Sequence, residues 1–143
     1  MTGVVEARDD AAIARCFAVM RQLRPHLTEA GCVARIKTQM KTGYRLAFLE
    51  QAGEVVAVAG FRILENLAWG RFLYVDDLVT DAARRGHGFG GRLLEWLLQQ
   101  ARESGCDALH LDSGVQRTDA HRFYEGHHLT NTSLHFAKSL SSP

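Results

Sequence analysis

The chain has very little proline. Pro25 and Pro143 are the only two, and no Pro/Gly/Ser-rich linker interrupts its 143 residues. Nothing in the composition divides it, so residues 1–143 are read as one domain around one core. Cysteine is scarce as well. Cys16, Cys32 and Cys106 are far apart, odd in number and form no CxxC pair. That spacing excludes a zinc ribbon and a disulfide framework, and leaves three small buried hydrophobes as the reading. No apolar run approaches the ~18 residues that span a bilayer. The opening MTGVVEARDDAA has no basic n-region and no apolar h-region. The expectation is a cytoplasmic protein with no membrane partner. An excess of one charge is also lacking: the net charge is +1, with both signs spread along the chain. No basic block could release many counterions, so nucleic acid is not an expected partner. Among seven histidines there is no HExxH and no paired-ligand helix spacing, so no metal is expected.

What is present is a regular alternation of elements. Val4 to Arg8 reads as a short strand. Asp9 or Asp10 can cap a helix that places Ile13, Phe17 and Met20 on one face and ends at Pro25. Thr28 can cap a second helix with Val33, Ile36 and Met40 inward, closed by Gly43. Residues 44–50 and 55–63 read as a hairpin around Gln51-Ala52-Gly53-Glu54. Residues 71–80 form a strand and 89–104 a helix burying Leu93, Leu94, Leu97, Leu98 and Ala101. A strand at 108–113 follows, then a helix from Thr118 to Glu125, then a closing strand or pair of strands over 129–138. The order is βααβββαβαβ. Early strands joined by short turns are expected antiparallel; those at 71–80 and 108–113, joined by a helix, are expected parallel. This is an α+β chain, layered α/β/α, with a mixed, mostly antiparallel sheet of six to seven strands, a central parallel pair, and helices on both faces.

The stretch VTDAARRGHGFGGRLLEW, residues 79–96, needs a reason. Gly86, Gly88, Gly90 and Gly91 fall within six residues, just before an apolar helix. Glycine costs backbone entropy, so such density suggests close approach by something. The first N–H groups of a helix lack internal partners and carry partial positive charge. With Arg84 and Arg85 at its entrance, the stretch reads as a phosphate or pyrophosphate cradle. A Walker A loop is excluded because no Gly-Lys-Ser/Thr follows. A dinucleotide fingerprint is matched literally by Gly86-His87-Gly88-Phe89-Gly90-Gly91, with Asp112 at the end of the next strand. Against it, Asp81 to Arg85 separate the strand from the glycines, and only one good βαβ unit is present.

Arg85-Gly86-His87-Gly88-Phe89-Gly90 also fits the Q/R-x-x-G-x-G/A signature of the GNAT superfamily of acyl-CoA-dependent N-acyltransferases. The block from Tyr74 through Leu94 resembles that family's acetyl-CoA-binding motif. Ala120-His121-Arg122-Phe123-Tyr124-Glu125-Gly126 resembles its A-x-x-F-Y segment. The resemblance is specific over residues 71–129 and pattern-level elsewhere. It implies acetyl-CoA as co-substrate, with pantetheine along the backbone of Leu78, Val79 and Thr80. It implies pyrophosphate on the amides of Arg85, Gly86, His87, Gly88, Phe89, Gly90 and Gly91, and adenosine outward near Arg84 and the helix after Ser113. The thioester carbonyl would be polarised by a backbone N–H near Val79. Tyr124 would protonate the leaving thiolate. Two departures stand out: Arg117 occupies a position where the family often has Asn, and His127-His128-Leu129 replaces the usual turn, with Gly126 displaced toward the tyrosine.

An attacking amine must be neutral, so a base is needed. Asp76 and Asp77 are the candidates. As neighbours in a strand they are expected on opposite faces of the sheet. Glu65 is a weaker candidate, and His110 or His121 could assist proton transfer. Three functions stay open: acetyl transfer to a primary amine, a CoA-binding module without turnover, and NAD binding. The acceptor could be a small amine, an antibiotic, a polyamine or a protein lysine, selected by residues 10–42 and the loops at 64–70 and 128–134. A homodimer is expected, because members of the family often pair through sheet edges or C-terminal strands.

Overall fold

The structure is a computed structural model, and it describes residues 3–141. The chain gathers into two compact units, one ending at Leu111 and one beginning at Asp112.

The first unit is a five-stranded sheet clad on both faces. Its elements are β1 (Val4–Ala7), α1 (Asp10–Leu23), α2 (Glu29–Met40), β2 (Arg45–Gln51), β3 (Glu54–Asn66), β4 (Gly70–Thr80), α3 (Phe89–Glu103) and β5 (Ala108–Leu111). Both early helices begin where a cap can hold them. The Asp9 carboxylate accepts from the Ala12 N–H at 2.9 Å, and the Thr28 hydroxyl oxygen accepts from the Gly31 N–H at 3.1 Å. The turn between β2 and β3 has Ala52 at φ 53° and Gly53 at φ 80°. Positive φ at both central residues matches the strands' right-handed twist.

The strands lie in the order β1-β2-β3-β4-β5. The first three pairs are antiparallel and β4–β5 is parallel, as the crossover through α3 requires. On one face Ile13, Cys16, Met20 and Ile36 of α1 and α2 pack with Leu46, Phe48, Val58 and Val79. On the other, Leu93, Leu97 and Ala101 of α3 pack with Ala47, Ala57, Phe61, Leu73 and Val75. Cys16 sits in the first layer, and burial pushes its thiol up to about 12.

Two local features distinguish the later half of β4. β5 pairs with β4 only from Phe72↔Ala108 to Val75↔Leu111. Beyond that, β4 pairs with β3 alone, and its other edge from Asp76 to Thr80 has no ladder partner among the described residues. The β3–β4 register also slips: Gly60 opposes Asp77 while Phe61 opposes Val75. Asp76 is the extra residue of a β-bulge.

The second unit holds α4 (Thr118–Gly126). Thr118 is its first helical residue; the preceding Arg117 is the cap position and makes no side-chain cap bond, so the expected threonine cap is not there. The expected strand over 129–138 is absent, and the described sheet has five strands rather than six or seven. Leu134 and Phe136 alternate with polar residues as in a strand, yet they are 73% and 87% exposed. Alternation dictates only which side chains would share a face. A strand also needs a second backbone edge for its N–H and C=O groups, and residues 129–141 pair with none among the described residues.

Candidate functional site

The bulge at Asp76 breaks the two-residue period of β4. Before it, Leu73 and Val75 face α3. After it, Leu78 packs on that side and Val79 on the side of α1 and α2. Asp76 and Asp77 therefore do not face opposite ways. Both line one pocket of about 460 Å³ between α1, α2 and β4. Strict alternation predicted the reverse, because it assumes an unbroken ladder.

Each carboxylate is held by an arginine. Arg24, just past the end of α1, donates through Nε to Asp77 Oδ1 at 2.9 Å and through Nη2 to the Asp76 carbonyl at 3.1 Å. Arg62 of β3 donates through Nε to both Asp76 oxygens, at 2.9 and 3.1 Å, and through Nη2 to Gln39 Oε1 at 2.7 Å. The Arg62 guanidinium also lies over the Tyr44 ring, 5.2 Å from its centre. Tyr44 is the third partner. Its hydroxyl donates to Asp77 Oδ2 at 2.8 Å. Burial, and next the Asp77 charge, push that phenol well above its ordinary value of 10. The contact depends on Gly60, Asp77's register partner. A Cβ there would stand 1.8 Å from the Tyr44 hydroxyl oxygen and 2.4 Å from its Cζ. Sequence reasoning missed Arg24, Arg62, Tyr44, Gln39 and Gly60. They come from four separate segments, and no local spacing links them to the aspartates. The lesser candidates lie elsewhere: Glu65 is exposed 3.9 Å from Arg71, and His110 stacks on Trp69 with ring centres 3.8 Å apart.

At the far end of β4 the chain enters the glycine stretch. Asp81 caps a short 3-10 turn, Ala82–Arg84, and the Gln22 amide braces it by accepting from the Ala82 N–H at 2.8 Å. Arg84 is ion-paired with Glu54, whereas Arg85 is exposed. Gly86 and Gly88 have φ of 87° and 77°, in the left-handed region. A Cβ at either meets no protein atom within 4 Å, so the requirement for glycine there is conformational. Gly88 is the cap residue of α3 and offers no side chain to the helix end. The N–H groups of Phe89, Gly90 and Gly91 thus start the helix without a side-chain acceptor, and His87 lies against the Phe89 ring. This arrangement suits an anion. The open β4 edge at Leu78, Val79 and Thr80 suits the amides of an extended ligand.

In the second unit, Tyr124 is half-buried in α4, its ring edge-on to Phe123 at 5.5 Å. Burial pushes its phenol above the ordinary value of 10, and the Arg117 guanidinium draws it partly back. The helix ends differently from the expectation. His128, at φ 68°, takes the left-handed position after the last turn, and Gly126 stays within the helix. The Leu129 N–H donates to the Tyr124 carbonyl at 3.0 Å across that turn. His121 Nε2 lies 2.8 Å from the Gly114 carbonyl oxygen.

The family model described as the acetyltransferase (GNAT) family matches residues 14–128. An uncharacterised N-acetyltransferase of Bacillus subtilis is 34% identical over 112 residues, which are 78% of this chain and 79% of that protein. An aminoalkylphosphonate N-acetyltransferase of Salmonella typhimurium is 32% identical over 98 residues, 68% of this chain and 62% of that protein. Among solved structures, an aminoglycoside N-acetyltransferase in complex with CoA superposes with a TM-score of 0.82. It is 11% identical, with 96% of this chain and 94% of that one covered. The dinucleotide-binding reading fails on the topology, since the described sheet has one parallel pair and not repeated βαβ units.

Proposed function

The chain belongs to the GNAT acetyltransferase family and is an acetyl-CoA-dependent N-acetyltransferase, and on that premise we propose that it acetylates a small primary amine held in the pocket over Asp76 and Asp77. One observation carries this reading: the bulge turns both carboxylates into the pocket at the point where β4 parts from β5. A carboxylate pair there attracts an ammonium group and can take its proton, directly or through water. The relative that acts on aminoalkylphosphonates supports a small amine as acceptor.

Acetyl-CoA supplies the activated thioester. The residues that would hold it are the open β4 edge at Leu78, Val79 and Thr80, and the amides from Arg85 to Gly91 at the uncapped end of α3. The exposed Arg85 adds positive charge at the entrance, and Arg84, paired with Glu54, stands beside it. The left-handed Gly86 and Gly88 and the empty space around their α-carbons fit a phosphate against the backbone. In the transfer, the amine nitrogen forms its bond to the acetyl carbon and the carbon–sulfur bond breaks. Asp76 or Asp77 receives the amine proton. The Val79 N–H is assigned to the carbonyl oxygen. Tyr124 gives the thiolate its proton; a phenol raised by burial is protonated at neutral pH, as a donor must be. We read residues 1–143 as one acetyltransferase domain.

The test is release of free CoA from acetyl-CoA, followed with a thiol reagent against a panel of small amines, with the acetylated product identified by mass. Amine-dependent release that collapses in the Asp76→Asn/Asp77→Asn double variant supports the reading. Tight CoA binding with no release for any amine would establish a CoA-binding module instead.

A further inference from the structure

The pocket is not charged evenly. At its floor, on β4, the side chains of Asp76 and Asp77 are 22% and 14% exposed, and each is compensated by its own arginine. At its mouth are His26, in the α1–α2 loop, and Arg35, both exposed. Along α2, Cys32 lies three and four residues before Arg35 and Ile36, Gln39 lies four and three residues after them, and all four line the pocket. Arg35 is therefore on the face that α2 turns to the cavity. Neither Arg35 nor His26 has a carboxylate partner among the described residues. The lining thus has arginine-paired carboxylates within and unmatched cation outside. An acceptor bearing only an ammonium would leave that cation uncompensated. A long peptide lysine would bring no anion to it. The volume, about 460 Å³, is that of a small-ligand site.

We propose that the acceptor is a small primary amine that also carries a phosphonate or phosphate dianion, its amine end over Asp76 and Asp77 and its dianion met by Arg35 and His26. A guanidinium offers forked donors to such an oxyanion, and an imidazole N–H adds another. The inference rests on the acetyl-transfer reading of this pocket, and its test separates the two.

The probes are 2-aminoethylphosphonate, O-phosphoethanolamine and propylamine, the last keeping the aminoethyl chain of the first with a methyl group in place of the phosphonate. Two measurements are made: acetyl-CoA turnover, and calorimetric titration of each probe into protein saturated with CoA. The expected result is a kcat/KM about tenfold or more higher for the phosphorus-bearing amines than for propylamine, the scale of one charge-assisted contact. In Arg35→Ala that preference falls by a similar factor, mainly through KM, and Arg35→Lys restores part of it. Equal turnover of all three probes, with a preference unmoved by Arg35→Ala, overturns this inference and leaves acetyl transfer standing. Selective binding of the phosphorus-bearing probes, weakened in Arg35→Ala but without turnover, would leave Arg35 as an anion contact and overturn the inference that this class is the acceptor. Binding equal for all three overturns it whatever the turnover.

Discussion

Gly60→Ala adds one methyl group to the molecule, at a point where the packing leaves no space for it. The new Cβ would stand 1.8 Å from the Tyr44 hydroxyl oxygen, and its three nearest neighbours are all atoms of the Tyr44 side chain. Tyr44 is 4% exposed, so its ring has little room to yield. Overpacking of a tight core costs about 1–3 kcal/mol. Displacing the ring also breaks the 2.8 Å bond to Asp77, and a hydrogen bond to a charged group contributes about 1.5–3 kcal/mol. Together they give roughly 3–5 kcal/mol, or a fall in Tm of about 10–17 °C for a chain of this size. Urea and thermal unfolding of four proteins test it: wild type, Gly60→Ala, Tyr44→Ala and the double variant. Tyr44→Ala removes every atom the new methyl would strike, so adding Gly60→Ala to it is expected to cost less than about 1 kcal/mol, because the two sites are coupled through that one contact. The acceptor KM is expected to rise in Gly60→Ala, because Asp77 loses one of its two side-chain donors. An equal cost of Gly60→Ala with and without Tyr44 would refute the steric explanation, since the penalty would then lie in the β3 backbone and not in the ring.

Tyr124→Phe is expected to leave CoA affinity near wild type and to lower kcat by about 10²–10⁴, the range for a positioned general acid; an unchanged kcat removes Tyr124 from the chemistry. Gly88→Asp and Gly88→Asn both place a tolerated side chain at φ 77°, at about 1 kcal/mol or a little more. Only the aspartate adds charge where phosphate is assigned, so calorimetry is expected to find CoA affinity lost in Gly88→Asp and partly kept in Gly88→Asn; equal loss would point to backbone strain. Away from the site, the Arg45 guanidinium, by hydrogen bond first, holds Glu6 below its ordinary value of 4.5. A lowered folded value means the pair's stabilisation is full above pH 4.5 and is lost as pH falls through that folded value. Glu6→Gln is expected to lower Tm at pH 7 and to flatten the acid side of the Tm–pH curve. A wild-type slope retained in Glu6→Gln would assign the acid loss to other carboxylates.

Much of this protein is decided within a few residues of chain. Asp9 and Thr28 cap their helices because a side-chain oxygen two or three residues away can reach an unpaired N–H. Ala52-Gly53 turns the hairpin, and Gly86 and Gly88 take the left-handed backbone that leads into α3. These are local matters, and the sequence determined them, together with the helices on both faces and the parallel pair that α3 must join. Tertiary structure decided the rest. Whether Leu134 and Phe136 join a sheet depends on a free backbone edge, which alternation does not report. Where β5 stops, and so where β4 is left open, depends on how far two distant segments stay paired. The side to which Asp76 points depends on one residue slipping out of register against Gly60. The ion pairs that hold the two aspartates join residues 14 and 53 positions apart. Such contacts exist only once the sheet and helices have closed around them, because charge and hydrogen bonding act through space and not along the chain.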